Sequence, residues 1–419
     1  MAKYIITGGN KLHGRIRISG NKNAILPCMA AALLTEEEVT LRNVPRISDV
    51  DILSRLLEWV GARVERGEDW IKITSPKIRR TDLPQDLVSK LRASILLVGA
   101  LIGRIGKVEF THPGGDVIGR RDIDRHLNGF TQLGCKVQTH DRKYKVKQTS
   151  DGKDEVRIFV DMVTVTGTEN LIMASARREG KTVIRNAAAE PHVVNLCQML
   201  VKMGVEIEGI GTSTLAVKGK KVLKGAEFTI DSDYIEFGTY AIAAAVTGGE
   251  IEIENCSGLD LDPIIWPMVR MGLSIKANKQ VIKISSRNLV AIRQLITNVW
   301  PGFPTDLMSV VIVLATQSRG ISLLHDWVHD SRMFFVDKLI TMGANITIAD
   351  PYRVVVYGST RLYGRNLETP DIRAGMALVL AALTARGQST INRAELIERG
   401  YDDVISKLTS LGADIQRLE

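Results

Sequence analysis

Charged side chains recur at the starts of apolar runs along this chain. Lys22 and Asn23, within SGNKN (19–23), lead into AILPCMAAALL, and Arg92 precedes ASILLVGALIG. Asp306 ends F-P-T-D before LMSVVIVLA, and Asp371 and Arg373 sit in DIRAG before MALVLAAL. PGGDVIGRRDIDRH (113–126), TVTGTEN (164–170), AAEP with Glu190, DSRMF with Arg332 and ERGYDD with Arg399 complete the set. Arginine meets carboxylate and phosphate through paired hydrogen bonds, and a helix start attracts anions. A lone arginine of this kind is more often a surface ion-pair partner. Several falling at matching strand-to-helix junctions point instead to a small anionic substrate.

The elements that hold these residues repeat six times. The tag apolar–x–x–apolar–Gly–x–x–apolar ends a helix at Gly61, Gly134, Gly204, Gly272, Gly343 and Gly412, at spacings of 68 to 73 residues. Self-similarity at a fixed period is a fold-level signal. Each unit reads as an apolar helix, an alternating strand, a second helix closed by the glycine, and a hairpin. The last unit lacks its hairpin. GGNKLHG (8–14) shares G-x-x-x-L-x-G with GKKVLKG (219–225) and GSTRLYG (358–364), so residues 1–21 are expected to complete it. The expected α/β architecture is therefore a contiguous lobe, 22–229, inserted into a discontinuous lobe, 1–21 plus 230–419. Each lobe would hold three βαβ-type units with buried helices and outer sheets. Helix starts would face a cleft between the lobes.

Composition narrows the function classes. The chain has 419 residues, 45% hydrophobic and 24% charged, as soluble globular proteins do. Neither a long apolar span nor a signal-peptide core is read from it, so no membrane partner and a cytoplasmic location are expected. The formal charge of +8 suits an anionic ligand. The densest basic stretch, DRKYKVKQ (141–148), alternates like a surface strand and no nucleic-acid motif accompanies it, so no nucleic acid is expected. The cysteines Cys28, Cys135, Cys197 and Cys256 lack metal-ligand spacing, and no P-loop is present, so neither metal nor organic cofactor is implied.

Taken together, S-G-x-K-N, P-G-G followed by G-x-R-x-x-D-x-H, F-P-T-D and D-x-R-A resemble the enolpyruvyl transferase family over essentially the whole length, in particular its UDP-N-acetylglucosamine 1-carboxyvinyltransferases. The resemblance implies the two-domain inside-out α/β barrel of that family. It also implies transfer of enolpyruvyl from phosphoenolpyruvate to a hydroxyl of UDP-N-acetylglucosamine, with release of phosphate through a tetrahedral ketal, opening peptidoglycan precursor synthesis. By the same resemblance Lys22, Arg121 and Arg399 grip phosphoenolpyruvate, with Arg92, Arg332 and Arg373 nearby. Asp306 takes the hydroxyl proton, and Asp371 belongs to the phosphoenolpyruvate side. Asn23, Asp124, His126, Thr164 and Gly167 match positions that contact the nucleotide sugar, and Glu190 matches a site residue. Each acid at a helix start also has a plain alternative as a complement to the helix dipole; His126 could be a solvated loop residue.

One position departs from the common motif. The family usually carries cysteine after P-G-G, the target of the epoxide fosfomycin, whereas this chain has Asp116, as some members do. A carboxylate cannot form that thioether, so insensitivity is expected. A free thiol is protonated at neutral pH and a free carboxylate is not. Closure of a lid built on Pro113-Gly114-Gly115 is expected to let Asp116 deliver a proton. Two rivals remain. A shikimate-type enolpyruvyl transferase would show S-K-S and G-N-x-G-T where this chain reads NKNA and RAS. A silent sugar-nucleotide sensor would have lost Lys22, Asp116 or Arg399.

Overall fold

The structure, a computed structural model, describes every residue except Met1, Val117, Arg120, Arg121, Asp151, Ser257, Gly258, Lys279 and Gln280. The chain forms two compact units. One comprises Met1–Ser19, Asp116–Arg120 and Ser232–Glu419; the other comprises Gly20–Gly115 and Arg121–Asp231. Asp116, Ile118 and Gly119, which the sequence reading keeps within the contiguous lobe, group instead with the discontinuous unit. Asp116 and Ile118 find their partners there, in Arg399 and in the Ser331 amide.

Each unit wraps three sheets around three helices. In the contiguous unit the helices Lys22–Ala31, Leu96–Ile105 and Val165–Ser175 are buried nearly all round; the first two are largely apolar, and the third also buries Thr168, Glu169 and Asn170. Helices Ser48–Val60, Asp124–Gln132 and Pro191–Lys202 bury only one stripe. Two of the buried helices meet through glycine: a Cβ on Gly99 would stand 2.4 Å from the Asn170 carbonyl, and one on Gly103 2.4 Å from that of Met173. In the discontinuous unit Tyr234–Val246, Met308–Gln317 and Ile372–Thr384 take the central places. The leucines there, such as Leu314, Leu378 and Leu380, are wholly inaccessible, worth about 2 kcal/mol apiece.

The strands alternate as a half-buried sheet requires. Lys143–Gln148 turns its lysines outward, while Tyr144 packs on Phe110 at 5.2 Å and Val146 is buried. Strand Lys3–Thr7 lies antiparallel between Gln388–Asn392 and Asp414–Leu418, and His13–Arg17 runs parallel to Glu250–Glu254.

All six repeated glycines adopt the left-handed conformation that ends a helix, with φ between 90° and 110°. The G-x-x-x-L-x-G copies share a second cause. Leu12, Leu223 and Leu362 are buried, and a Cβ on Gly8, Gly219 or Gly358 would strike a carbonyl oxygen at the end of a buried helix within 2.4 Å.

Candidate active site

In the discontinuous unit the charged residues gather at the starts of the buried helices. Pro304 ends the approach in extended geometry, and Thr305–Leu307 forms a single tight turn ahead of helix Met308–Gln317. That turn presents Asp306, whose side chain keeps 26% of its surface exposed. Arg373 donates to Asp306 Oδ2 through Nε at 3.1 Å and Nη2 at 2.9 Å, and Arg332 donates to Oδ1 at 3.2 Å. Burial works against ionisation of Asp306, but Arg373, Arg332 and His329 outweigh it and hold the carboxyl well below the usual carboxylate range. Both guanidiniums are buried, and the Tyr401 ring lies 5.2 Å from that of Arg373.

Asp371 caps helix Ile372–Thr384, accepting from the amides of Arg373 at 2.8 Å and Ala374 at 3.0 Å. Burial raises its proton affinity, and the charge of Asp116 adds to that against the pull of Arg332 and the amides. Asp116 and Arg399, 283 residues apart in sequence, pair at 3.0 Å with less than a fifth of either side chain exposed. Asp371 thus feels the charges of both Asp116 and Arg332.

In the contiguous unit Asn21 caps helix Lys22–Ala31, accepting from the Asn23 and Ala24 amides, and this fixes Lys22 on the first turn. Lys22 is nearly buried and pairs with Asp49 at 3.0 Å. Arg92 donates to the Asp122 carbonyl at 3.2 Å, tying the first turn after Leu91 to the DIDRH segment. Asp124 opens helix Asp124–Gln132 and is exposed. Thr164 caps helix Val165–Ser175 by accepting from the Gly167 amide; a Cβ on Gly167 would lie 2.3 Å from the Thr164 methyl, so the pair is required by the turn itself. Glu190 is the residue before Pro191–Lys202. Burial, and after it the charge of Glu190, raises the proton affinity of Glu169 on the neighbouring helix. Arg121 lies outside the described residues.

His126 is not a loop residue. It is buried on a helix, with Nδ1 2.9 Å from Asn170 Nδ2 and Nε2 3.3 Å from the Thr166 hydroxyl. Burial, reinforced by Arg92 and Arg125, pushes it down to about 3, so the ring is neutral, accepts from Asn170 and joins two helices. Sequence reasoning passed over four further residues of these clusters: Asn21, Asp49, Asn170 and Asp326. Asn21 and Asp49 carried a signal, since each stands beside the start of an apolar helix.

Comparison with known proteins identifies the family. The family described as EPSP synthase (3-phosphoshikimate 1-carboxyvinyltransferase) matches residues 6–408. The UDP-N-acetylglucosamine 1-carboxyvinyltransferase of Borreliella burgdorferi is 45% identical with both chains wholly covered. The enzyme of the same name from Bradyrhizobium diazoefficiens is 44% identical over 99% of this chain and 98% of its own. Among solved structures, the enolpyruvyl transferase NikO from Streptomyces tendae superposes with a TM-score of 0.88 at 22% identity, covering 99% of this chain and 98% of its own. EPSP synthase from Acinetobacter baumannii gives 0.76 at 17%, with both chains fully covered. The last two show a shared fold, and the full-length identity to the first two shows descent: the chain belongs to the enolpyruvyl transferase family.

Proposed function

We propose that this protein transfers the enolpyruvyl group of phosphoenolpyruvate to the 3'-hydroxyl of UDP-N-acetylglucosamine, releasing phosphate. The observation that supports the reading is the Asp306 carboxylate held between Arg332 and Arg373 at a helix start, with the Asp116–Arg399 pair in the same unit. The acceptor oxygen bonds to C2 of phosphoenolpyruvate, its proton passing to solvent, while Asp116 gives a proton to C3; the ketal then returns a proton from C3 to Asp116 as the bond from C2 to the phosphate oxygen breaks. Asp306 stays ionised between two guanidiniums, which makes it a weak base, so its contribution is to aim at the hydroxyl and hold it as the proton leaves. In this reading the substrate anion draws Arg399 from Asp116, which then takes a proton from solvent and passes it to C3. In this reading Lys22, Arg92, Arg121 and Arg399 supply the positive charge for the phosphate and carboxylate of phosphoenolpyruvate. Asn23, Asp124, Thr164, Gly167 and Glu190 bind the sugar nucleotide, and His126 fixes the helix that carries Asp124.

No helix among the described residues is long and apolar enough to cross a membrane, and we assign the reaction to the cytoplasm, as the entry step of peptidoglycan precursor synthesis. With aspartate at position 116, fosfomycin finds no thiol there. The test is phosphate release from phosphoenolpyruvate mixed with a panel of UDP-sugars and with shikimate 3-phosphate. Release with UDP-N-acetylglucosamine alone supports the reading. Release only with shikimate 3-phosphate, or with neither acceptor, refutes it.

A further inference from the structure

Beneath Asp306 lies a second acid. Asp326 follows strand Gly320–His325, and its side chain is wholly buried. Its Oδ1 accepts from the Thr297 hydroxyl at 3.1 Å and the Val328 amide at 3.0 Å. Its Oδ2 accepts from the Thr305 hydroxyl at 2.5 Å and lies 3.4 Å from Nε of Arg332. A buried carboxylate is costly unless hydrogen bonds and a counter-charge compensate it, and here they do. The last two partners both lead to Asp306. Thr305 precedes it in the same tight turn, and Arg332 holds Asp306 Oδ1 through Nη2. Arg332 is thus gripped between the two acids, and with Arg373 the pairs balance in charge.

We propose that Asp326 is a positioning residue for the transfer reaction: through the Thr305 hydroxyl and Arg332 it sets the direction in which Asp306 points. The inference rests on the reaction proposed above. An acid that merely anchored the strand end would affect how much protein folds, not the turnover of what has folded. Small displacements of a reacting group can cost about a hundredfold in rate.

The experiment compares steady-state phosphate release, from phosphoenolpyruvate and UDP-N-acetylglucosamine, by folded wild type, Thr305→Val, Thr305→Ser, Asp326→Asn and the Thr305→Val/Asp326→Asn double variant. Thr305→Val, which loses only the hydroxyl, is expected to lower kcat about tenfold with either KM changed less than about threefold. Thr305→Ser keeps the hydroxyl and stays within about twofold of wild type. Asp326→Asn falls about a hundredfold, and the double variant is no slower, because one residue acts through the other. Should Asp326→Asn fail to fold, the Thr305 pair still decides. Undiminished kcat in Thr305→Val, equal damage in Thr305→Ser, or additive losses in the double variant overturn the inference alone. A wild type that releases no phosphate overturns the reaction and this inference with it.

Discussion

His126 makes the stability of the contiguous unit depend on pH in a calculable way. The ring is 2% exposed and titrates at about 3 in the folded chain, against about 6.5 when unfolded. Because folding lowers its proton affinity, protons favour the unfolded state. Its share of stability is complete above about pH 6.5 and drains away as the pH falls from there toward 3. Each pH unit in that window costs about 1.4 kcal/mol, so about 2.7 kcal/mol disappears between pH 6.5 and 4.5. Other groups titrate there too, and His126→Gln isolates this one. The variant loses a roughly constant amount from altered packing but lacks the slope. Urea unfolding of both proteins at pH 7.5, 6.5, 5.5 and 4.5 is the assay, followed by a probe within the contiguous unit. The stability gap between them should narrow by about 1.4 kcal/mol at pH 5.5 and by about 2.7 kcal/mol at pH 4.5. A gap that stays within about 0.5 kcal/mol across the series would refute the claim that the ring is buried neutral.

Three other outcomes are expected. Asp306→Asn should reduce phosphate release by about a thousandfold while the protein remains folded, as circular dichroism would verify; turnover within tenfold of wild type removes Asp306 from the chemistry. Incubation with fosfomycin should leave the intact mass of the wild type unchanged, and Asp116→Cys should gain one adduct; an adduct on the wild type sinks the insensitivity. Gly99→Ala forces a methyl against the Asn170 backbone and its side-chain oxygen, 2.4 and 2.5 Å away, and should lower unfolding stability by about 2 to 3 kcal/mol; a neutral effect would mean that the two helices separate freely.

What could be read from the sequence were features set by local chemistry. A glycine after a helix needs positive φ, so the tag at Gly61 through Gly412 marked six helix ends before any coordinates. All-apolar runs such as YAIAAAV marked the buried helices. Asp326 was illegible because LLHDW carries no spacing that announces it: Thr297, Thr305 and Arg332 reach it only when strand, turn and loop are assembled. His126 was legible as a motif member but not as a buried one, since its burial depends on Asn170, 44 residues away. The placement of Asp116 and Ile118 depends likewise on long-range partners, Arg399 and Ser331, which glycine-rich sequence does not disclose.

The strand Lys3–Thr7 has a consequence for biosynthesis. Its hydrogen-bonding neighbours, residues 388–392 and 414–418, leave the ribosome roughly four hundred residues after it does. The inserted unit, whose pairings all fall between residues 39 and 229, has every partner it needs well before then. Translation therefore imposes an order of assembly: the middle of the gene product matures first, while the opening segment waits unpaired and exposed to chaperones or to mispairing with a neighbouring nascent chain.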